Sequence, residues 1–167
     1  MFKIIEMEKY RVGIGYDVHQ LAEGEELWLG GILLPHVKGT IAHSDGDVLL
    51  HAICDALLGA AKLRDIGFHF PDTSLDYKNI DSKKLLLSSW QLVKSKGYFI
   101  ENIDVVVVAQ RPKLKDYIPE MESVIAGILE IDPDDVNIKA TTTEKLGFEG
   151  REEGISVQAI ALLRKLK

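Results

Sequence analysis

The sequence has a single cysteine, Cys54, among its 167 residues, so an internal disulfide is excluded. It has no long apolar run either: residues 105–109, one of the longest, form a run far shorter than the about 20 apolar residues that a membrane-spanning helix needs. Net positive charge is also missing, since the formal charge is −6 and a nucleic-acid binder needs a basic patch. We therefore expect a cytoplasmic protein in a reducing compartment, with no nucleic-acid and no membrane partner.

Internal repeats, low-complexity tracts and linker-like stretches are absent too, which favours one domain. The chain is 46% apolar and 28% charged, an ordinary composition for a globular protein with a sizeable core. No signal peptide is recognisable. We expect residues 1–10 to form a short N-terminal extension and residues 11–167 to form a single domain.

Two histidines and an aspartate make the first candidate site. Residues 11–19 have the pattern of a strand, in which Asp17 and His19 point to the same face because side chains alternate. His51 belongs to a helix predicted from residue 47. One carboxylate and two imidazoles give three ligands with an open fourth position, which is the form of catalytic zinc sites. Mn²⁺ and Fe²⁺ also accept this set of donors.

A simpler interpretation is that both histidines are structural, as most single histidines are. The aspartate two residues before His19, and the acidic residues on the same helical stripe as His51, favour the metal site. Asp55, one turn beyond His51, either accepts a hydrogen bond from a ligating ring or lies on a solvated helix face. The sequence leaves both roles of Asp55 open.

The hydrophobic spacing predicts an α+β fold, with helices packed on one face of a mixed β-sheet. Gly30-Gly31 is a hairpin turn signal, Asp45 or Asp47 can cap the first helix, and Ser82 can cap the second. Residues 103–109 are apolar throughout, which predicts a strand covered on both faces. The predicted strands are 11–19, 27–29, 32–34, 103–109 and 136–140; the helices are 47–62, 83–96 and 116–129; the loops are 35–39, 64–78 and 141–153. Residues 155–163 fit either a helix or a strand, and their alternation, together with the resemblance described below, favours a strand.

Five motifs follow one another in an order that is similar to a known family. They are Asp17-x-His19, His43-Ser-Asp-Gly-Asp47 with His51, Asp65-Ile-Gly67, Phe70-Pro-Asp72, and Ala-Thr-Thr-Thr-Glu-Lys-Leu-Gly-Phe at 140–148. Each motif alone is weak, but five in order over one domain are specific. The chain resembles the 2-C-methyl-D-erythritol 2,4-cyclodiphosphate synthases over about residues 11–166.

The resemblance implies a phosphorus–oxygen lyase of the non-mevalonate isoprenoid pathway. The substrate would be 4-diphosphocytidyl-2-C-methyl-D-erythritol 2-phosphate, whose 2-phosphate attacks the β-phosphorus so that CMP leaves and a cyclic diphosphate forms. Such an intramolecular transfer needs positioning and charge neutralisation rather than a protein nucleophile. No nucleophile is evident, because Cys54 falls on the apolar side of a helix.

The resemblance also assigns the metals. Zn²⁺ would be held by Asp17, His19 and His51, and Mg²⁺ or Mn²⁺ by Glu144 together with substrate phosphates. Thr142 would act beside Glu144 in catalysis. His43 would be a catalytic orienting group rather than a fourth zinc ligand, since a fourth ligand would close the site.

The substrate contacts implied by the resemblance fall into three groups. The His43–Gly46 turn and the loop after residue 64 would hold the methylerythritol phosphate, the stretch after residue 108 the cytosine, and the threonines the diphosphate. These contacts are Ser44, Asp65, Gly67, Asp72, Ala109, Pro112, Lys113, Leu114, Thr141 and Thr142. The resemblance adds Phe148 and Arg151, which lie outside these three groups. His69, Arg111 and Gln158 receive no role.

The family implies a homotrimer with active sites between subunits, in which Phe148 and Arg151 lie near a central cavity that can hold an isoprenoid diphosphate. It also implies a bacterial cytoplasmic protein, or a plastid protein whose transit peptide has been removed. Two other functions stay open. One is a metal-dependent hydrolase that uses a zinc-bound water, and the other is a non-catalytic binding module.

Overall fold

The computed structural model describes residues 8–71 and 80–165. The elements are β1 (Lys9–Glu23), β2 (Leu27–Leu29), β3 (Ile32–Leu34), β4 (Lys38–Ile41), α1 (Val48–Ala60), α2 (Ile66–His69), α3 (Ser82–Ser95), β5 (Phe99–Val108), α4 (Ile118–Leu129), β6 (Val136–Thr141), α5 (Gly147–Gly150) and β7 (Gly154–Lys165), with a 3₁₀ turn at Pro133–Asp135 before β6.

Five strands form a mixed sheet in the order β4-β1-β7-β5-β6, in which β5 and β6 are parallel and the other pairs antiparallel. Strands β2 and β3 form a separate hairpin. This confirms the predicted α+β class with a mixed sheet.

Helix α1 is the centre of the core and packs directly on strand β1. A Cβ atom on Gly13 would lie 2.0 Å from the carbonyl oxygen of Ala56, and one on Gly15 would lie 1.8 Å from that of Ala52. Real side chains do not fit at such distances, so only glycine allows this approach of the two backbones. The approach brings the side chain of His51 on α1 to the face of β1 that carries the candidate ligands.

Asp47 caps α1 and ties it to the hairpin. Its carboxylate accepts hydrogen bonds from the backbone N–H of Leu50 (3.0 Å), Gly30 (3.0 Å) and Gly31 (2.6 Å). Both glycines have positive φ, as the predicted two-residue turn requires. Burial raises the pKa of Asp47, and the three N–H groups oppose that rise. The predicted cap and the predicted hairpin are both confirmed.

Four predictions of local structure need correction. Residues 38–41 form strand β4 rather than ending a loop, because they pair with the second half of β1. Helices α2 and α5 lie in stretches predicted as loops, since four-residue helices show no period. Asp81, rather than Ser82, caps α3, and its carboxylate accepts a hydrogen bond from the N–H of Lys83.

The face of the sheet opposite the helices is open in the single chain. Alternate residues of β1 on this face are 43–68% exposed: Tyr10, Val12, Ile14, Tyr16 and Val18. Strand β5 is buried on one face only, because Val105 and Val107 are buried while Val106 and Val108 are half-buried. The prediction of a strand covered on both faces is therefore wrong for the chain by itself. No helix within residues 8–71 and 80–165 is long and apolar enough to span a bilayer.

Replacing Gly15 with alanine tests the close packing of α1 on β1. The added methyl group would overlap the carbonyl of Ala52, so we expect G15A to lower the free energy of unfolding by about 3 kcal/mol in urea denaturation. The matched control is G59A on α1, where a Cβ meets nothing closer than 3.9 Å and alanine should stabilise the helix by about 0.5–1 kcal/mol. Equal stability of G15A and the unmodified chain would contradict the argument.

Candidate active site

Asp17, His19 and His51 lie together, as the sequence predicts. The Oδ2 atom of Asp17 is 3.1 Å from Nδ1 of His51 and 3.6 Å from Nδ1 of His19. The two imidazole rings meet edge to face with centroids 5.2 Å apart. One ligand atom from each residue lies within 4.8 Å of the others, so the three can share one ion.

The surroundings of His19 suit a metal ligand. Its Nδ1 atom is buried and is not within hydrogen-bond distance of any partner among the described residues. Burial lowers the pKa of His19, against the opposing effect of the Asp17 carboxylate, and so favours the neutral imidazole that binds metals. Two neutral imidazoles and a carboxylate are donors that Zn²⁺ accepts. The residues present therefore fit a divalent ion.

The second nitrogen of the His51 ring has partners that the sequence did not suggest. Its Nε2 atom is 2.9 Å from Oγ of Ser82 and 3.3 Å from Oγ of Ser44. The Ser82 hydroxyl in turn donates to the carboxylate of Asp45. No pattern in the sequence could reveal this contact, because Ser82 is 31 residues from His51 and has the signature of a helix cap.

Among the contacts that the structure describes, Asp55 does not accept a hydrogen bond from a ligating imidazole. Its Oδ1 atom accepts a 2.7 Å hydrogen bond from the N–H of Ile66, and burial raises the pKa of its carboxyl. Asp65 also binds this segment: its side chain caps α2 by accepting a 2.9 Å hydrogen bond from the N–H of Phe68. Both carboxylates therefore fix the α2 segment beside Asp17, His19 and His51, which we call the metal cluster because they could hold a metal ion.

A cavity of about 340 Å³ opens next to the metal cluster. Five of the predicted site residues line it, among them His43, which is exposed there. Asp65 is not among the lining residues, but it caps α2, of which Ile66 and Gly67 line the cavity; Asp72 lies outside the described residues. The lining consists of His19, Ala42, His43, Ser44, His51, Ile66, Gly67, Phe70 and Leu85.

A second cavity of about 550 Å³ lies where the parallel strands β5 and β6 end. It collects every residue predicted for cytosine and diphosphate binding, because the carboxyl ends of parallel strands meet at one edge. Ala109 also donates its N–H to the carbonyl of Thr141 at 3.0 Å, which joins the two strand ends. The lining consists of Ala109, Gln110, Pro112, Lys113, Leu114, Lys115, Ile118, Ala140, Thr141, Thr142 and Glu144.

The Thr142–Glu144 loop has its own hydrogen bonds. The Thr142 hydroxyl donates to the Glu144 carboxylate at 3.1 Å and accepts from the Glu144 N–H at 3.3 Å. Gln110 accepts a hydrogen bond from the N–H of Lys145, also at 3.3 Å. Gln110 is a second residue that the sequence did not single out, and it connects the stretch after β5 with the loop after β6.

The two cavities share no lining residue and lie apart on the sheet. Val18 on β1 pairs with Ser156 on β7, which pairs in turn with Val108 on β5. Val108 pairs with Thr141 at the end of β6. At about 4.8 Å per strand spacing, Thr141 lies about 14 Å from Val18, the neighbour of both β1 ligands.

The remaining predicted residues lie outside both cavities. Arg151 is exposed and forms a two-pronged ion pair with Glu153 at 3.0 Å. Phe148 is half-buried and packs against Gly154 at the start of β7. The three residues without an assigned role have local contacts. His69 is hydrogen-bonded to the carbonyl of Leu63, and Arg111 forms an ion pair with Glu152. Gln158 lies on the open face of the sheet, beside Tyr16 and Val106.

The fold and the cluster are those of an α+β domain with a candidate site for a divalent metal ion. The family model described as the YgbB family matches residues 10–164. A 2-C-methyl-D-erythritol 2,4-cyclodiphosphate synthase of Bacteroides fragilis is 63% identical over 158 residues, which are 95% of this chain and 99% of the relative. The chain belongs to the YgbB family, and the predicted synthase family is confirmed.

Solved structures agree with this assignment. The bifunctional IspDF of Campylobacter jejuni is 45% identical with a TM-score of 0.93, covering 96% of this chain and 44% of that longer one. A complex of Plasmodium falciparum IspF with CDP is 34% identical with a TM-score of 0.83, covering 95% of this chain and 97% of that one. The predicted enzyme class, a phosphorus–oxygen lyase of the non-mevalonate isoprenoid pathway, is confirmed by the relatives.

Zinc titration tests the metal cluster. We expect one high-affinity Zn²⁺ per chain, measured by competition with a chromophoric chelator. Removing one of three ligands in H51A should weaken binding by more than about 100-fold. The control is H36A, because His36 is not part of the cluster. Equal zinc affinity of H51A and H36A would contradict the assignment.

Proposed function

We propose that the chain converts 4-diphosphocytidyl-2-C-methyl-D-erythritol 2-phosphate into 2-C-methyl-D-erythritol 2,4-cyclodiphosphate and CMP. An oxygen of the 2-phosphate forms a bond to the β-phosphorus, and the bond from that phosphorus to the bridging oxygen breaks, so that CMP keeps this oxygen. The observation that carries the proposal is the Asp17, His19 and His51 cluster in a chain 63% identical to a synthase of that name.

The reaction requires no protein nucleophile, and the structure is consistent with that. Cys54 is fully buried in α1, and burial raises the pKa of its thiol to about 12. Catalysis then depends on holding the attacking phosphate in line with the leaving group and on offsetting the charge that develops there. The residues of the two cavities supply these two functions.

In the first cavity, Asp17, His19 and His51 would hold Zn²⁺. His43 and Ser44 lie beside them at the turn that leads into α1, where the His43 imidazole and the Ser44 hydroxyl would contact the substrate phosphate. Gly67 leaves its side of the cavity without a side chain, so the methylerythritol part can approach the backbone. His43 orients the substrate phosphate near the cluster without taking the open metal position.

In the second cavity, Ala109, Pro112, Lys113 and Leu114 would enclose the cytosine. The hydroxyls of Thr141 and Thr142 would contact the diphosphate, and the Thr142 hydroxyl also orients the Glu144 carboxylate at 3.1 Å. One carboxylate beside substrate phosphates is the usual protein share of a Mg²⁺ or Mn²⁺ site. When bound, the two metals polarise the β-phosphate and neutralise charge on the departing CMP.

The separation of the two cavities supports an active site between subunits. Within one chain the Thr141 end of the sheet is about 14 Å from the β1 ligands, because two strands lie between them. The α- and β-phosphates of one diphosphate are bonded through a single oxygen and cannot bridge that distance. We infer that the first cavity of one subunit faces the second cavity of a neighbour.

The open face of the sheet supports a homotrimer. A row of apolar side chains on β1, continued by Ile160 on β7, is exposed in the single chain, and such a patch on a globular protein marks an interface. Contact with two further copies would cover this face and give strand β5 the second cover that its apolar sequence predicts. An isoprenoid diphosphate could then occupy the trimer centre near Phe148 and Arg151, in competition with Glu153 for the guanidinium.

Phosphorus NMR on the purified protein tests the reaction. With the cytidyl-diphosphate substrate, Zn²⁺ and Mg²⁺, we expect CMP together with a product that contains two coupled phosphorus nuclei. CMP without the cyclic product would identify a hydrolase, and bound metal without turnover would identify a binding module. In the same assay, E144Q should lower the rate by about 10²–10³-fold, because it weakens the proposed Mg²⁺ site that would neutralise charge on the leaving group. E130Q, at an exposed site paired with Lys94, is the control and should be fully active.

The trimer is tested by sedimentation equilibrium. We expect three times the chain mass for the unmodified protein and a lower mass for I14D, because the new charge would be buried without a partner in the apolar face. L87D introduces the same charge on the exposed side of α3 and should stay trimeric. A trimeric I14D would show that this face is not the interface.

A further inference from the structure

A chain of three side chains runs from the metal cluster to the turn before α1. His51 on α1, Ser82 at the start of α3 and Asp45 in the turn are linked by hydrogen bonds, with 2.9 Å between Nε2 of His51 and Oγ of Ser82. Ser82 is fully buried, so water does not replace either partner. The chain brings together three segments that are distant in sequence.

The direction of these hydrogen bonds follows from the acceptor at the far end. An ionised carboxylate only accepts, so the Ser82 hydroxyl donates its hydrogen to Asp45. Its oxygen is then left as an acceptor for the Nε2–H of His51. Ser44 lies farther from Nε2, at 3.3 Å, and its oxygen already accepts from the N–H of Gly46 at 3.1 Å.

Asp45 is itself held firmly in this role. Its Oδ2 atom accepts from the N–H of Ser82 at 2.9 Å, and its Oδ1 atom accepts from the N–H of Asp47 at 3.2 Å. Its own N–H donates to the carbonyl of Ile80 at 3.2 Å. The carboxylate cannot turn toward the metal cluster without breaking bonds to two segments.

We infer that Ser82, oriented by Asp45, is a positioning residue that keeps the hydrogen of the His51 ring on Nε2 and so leaves Nδ1 free to bind the metal. Nδ1 is the atom that faces Asp17 at 3.1 Å. Ligating histidines commonly give their other ring hydrogen to a carboxylate or an equivalent acceptor, which fixes the ring and strengthens the ligand. The inference rests on the proposed metal site at Asp17, His19 and His51.

The arrangement also links metal binding to the substrate turn. Asp45 lies in the His43–Gly46 turn that lines the first cavity, and its carboxylate is hydrogen-bonded to Ser82 at the start of α3. A displacement of this turn would therefore release the His51 ring as well. The Asp45 carboxylate therefore fixes the positions of both the proposed metal ligand His51 and the proposed phosphate-binding turn.

Zinc affinity of S82A and S89A tests the inference. S82A removes the acceptor for Nε2–H, and we expect a 10–100-fold weaker Zn²⁺ affinity in the chelator competition. S89A is the matched control, because Ser89 is an equally buried serine on α3 whose hydroxyl makes no hydrogen bond to the metal cluster. Thermal unfolding of both metal-free variants shows that each is folded. Equal zinc affinity of S82A and S89A would overturn the inference.

Two further measurements do not depend on S82A. In the zinc-loaded unmodified protein, nitrogen-15 NMR should show His51 with a slowly exchanging hydrogen on Nε2 and with Nδ1 as the ligand; the opposite assignment would overturn the inference. S82T keeps the hydroxyl and should regain most of the lost affinity if it is folded. Absence of zinc binding by the unmodified protein would refute the metal site itself, whereas tight binding that is indifferent to Ser82 would refute only the role of Ser82.

Discussion

The packing of helix α1 on strand β1 is the contact on which the metal cluster depends. Glycines at positions 13 and 15 remove the side chains that would separate the two elements, and a Cβ on Gly15 would overlap the Ala52 carbonyl at 1.8 Å. Main chain therefore meets main chain, and His51 of the helix comes within 3.1 Å of Asp17 on the strand. The ligands stand on regular elements rather than on loops, which gives them a fixed geometry.

A chain with a net charge of −6 is proposed to bind a highly anionic substrate, and its hydrogen bonds show how the two are compatible. The aspartates nearest the first cavity accept hydrogen bonds from backbone N–H groups, whose dipoles offset the negative charge. Asp17 and Glu144 are the proposed metal ligands, and Asp17 also accepts a 2.9 Å hydrogen bond from the N–H of Val18. The other aspartates that accept from backbone N–H groups near the first cavity are Asp45, Asp47, Asp55 and Asp65.

Sequence patterns were most informative where a residue's role is local. The strand alternation placed Asp17 and His19 on one face, and the helical period placed His51 on a stripe with Asp47 and Asp55; the structure brings Asp17, His19 and His51 together. Strand β4 and the short helices α2 and α5 were missed, because pairing with distant segments forms the first and four residues carry no period. The residues after β5 and β6 met in one cavity only because parallel pairing brings their ends together.

The sequence by itself determined the α+β class, the three candidate metal ligands and the family, since each rests on local periodicity or on motifs in a fixed order. The tertiary structure decided the contacts between segments: the Asp45–Ser82–His51 chain, the hydrogen bond that Asp55 accepts from the N–H of Ile66, and the separation of the two cavities. It also left one face of the sheet uncovered. Hydrogen bonds across more than 30 residues depend on how elements pack, and no single-sequence pattern encodes that geometry.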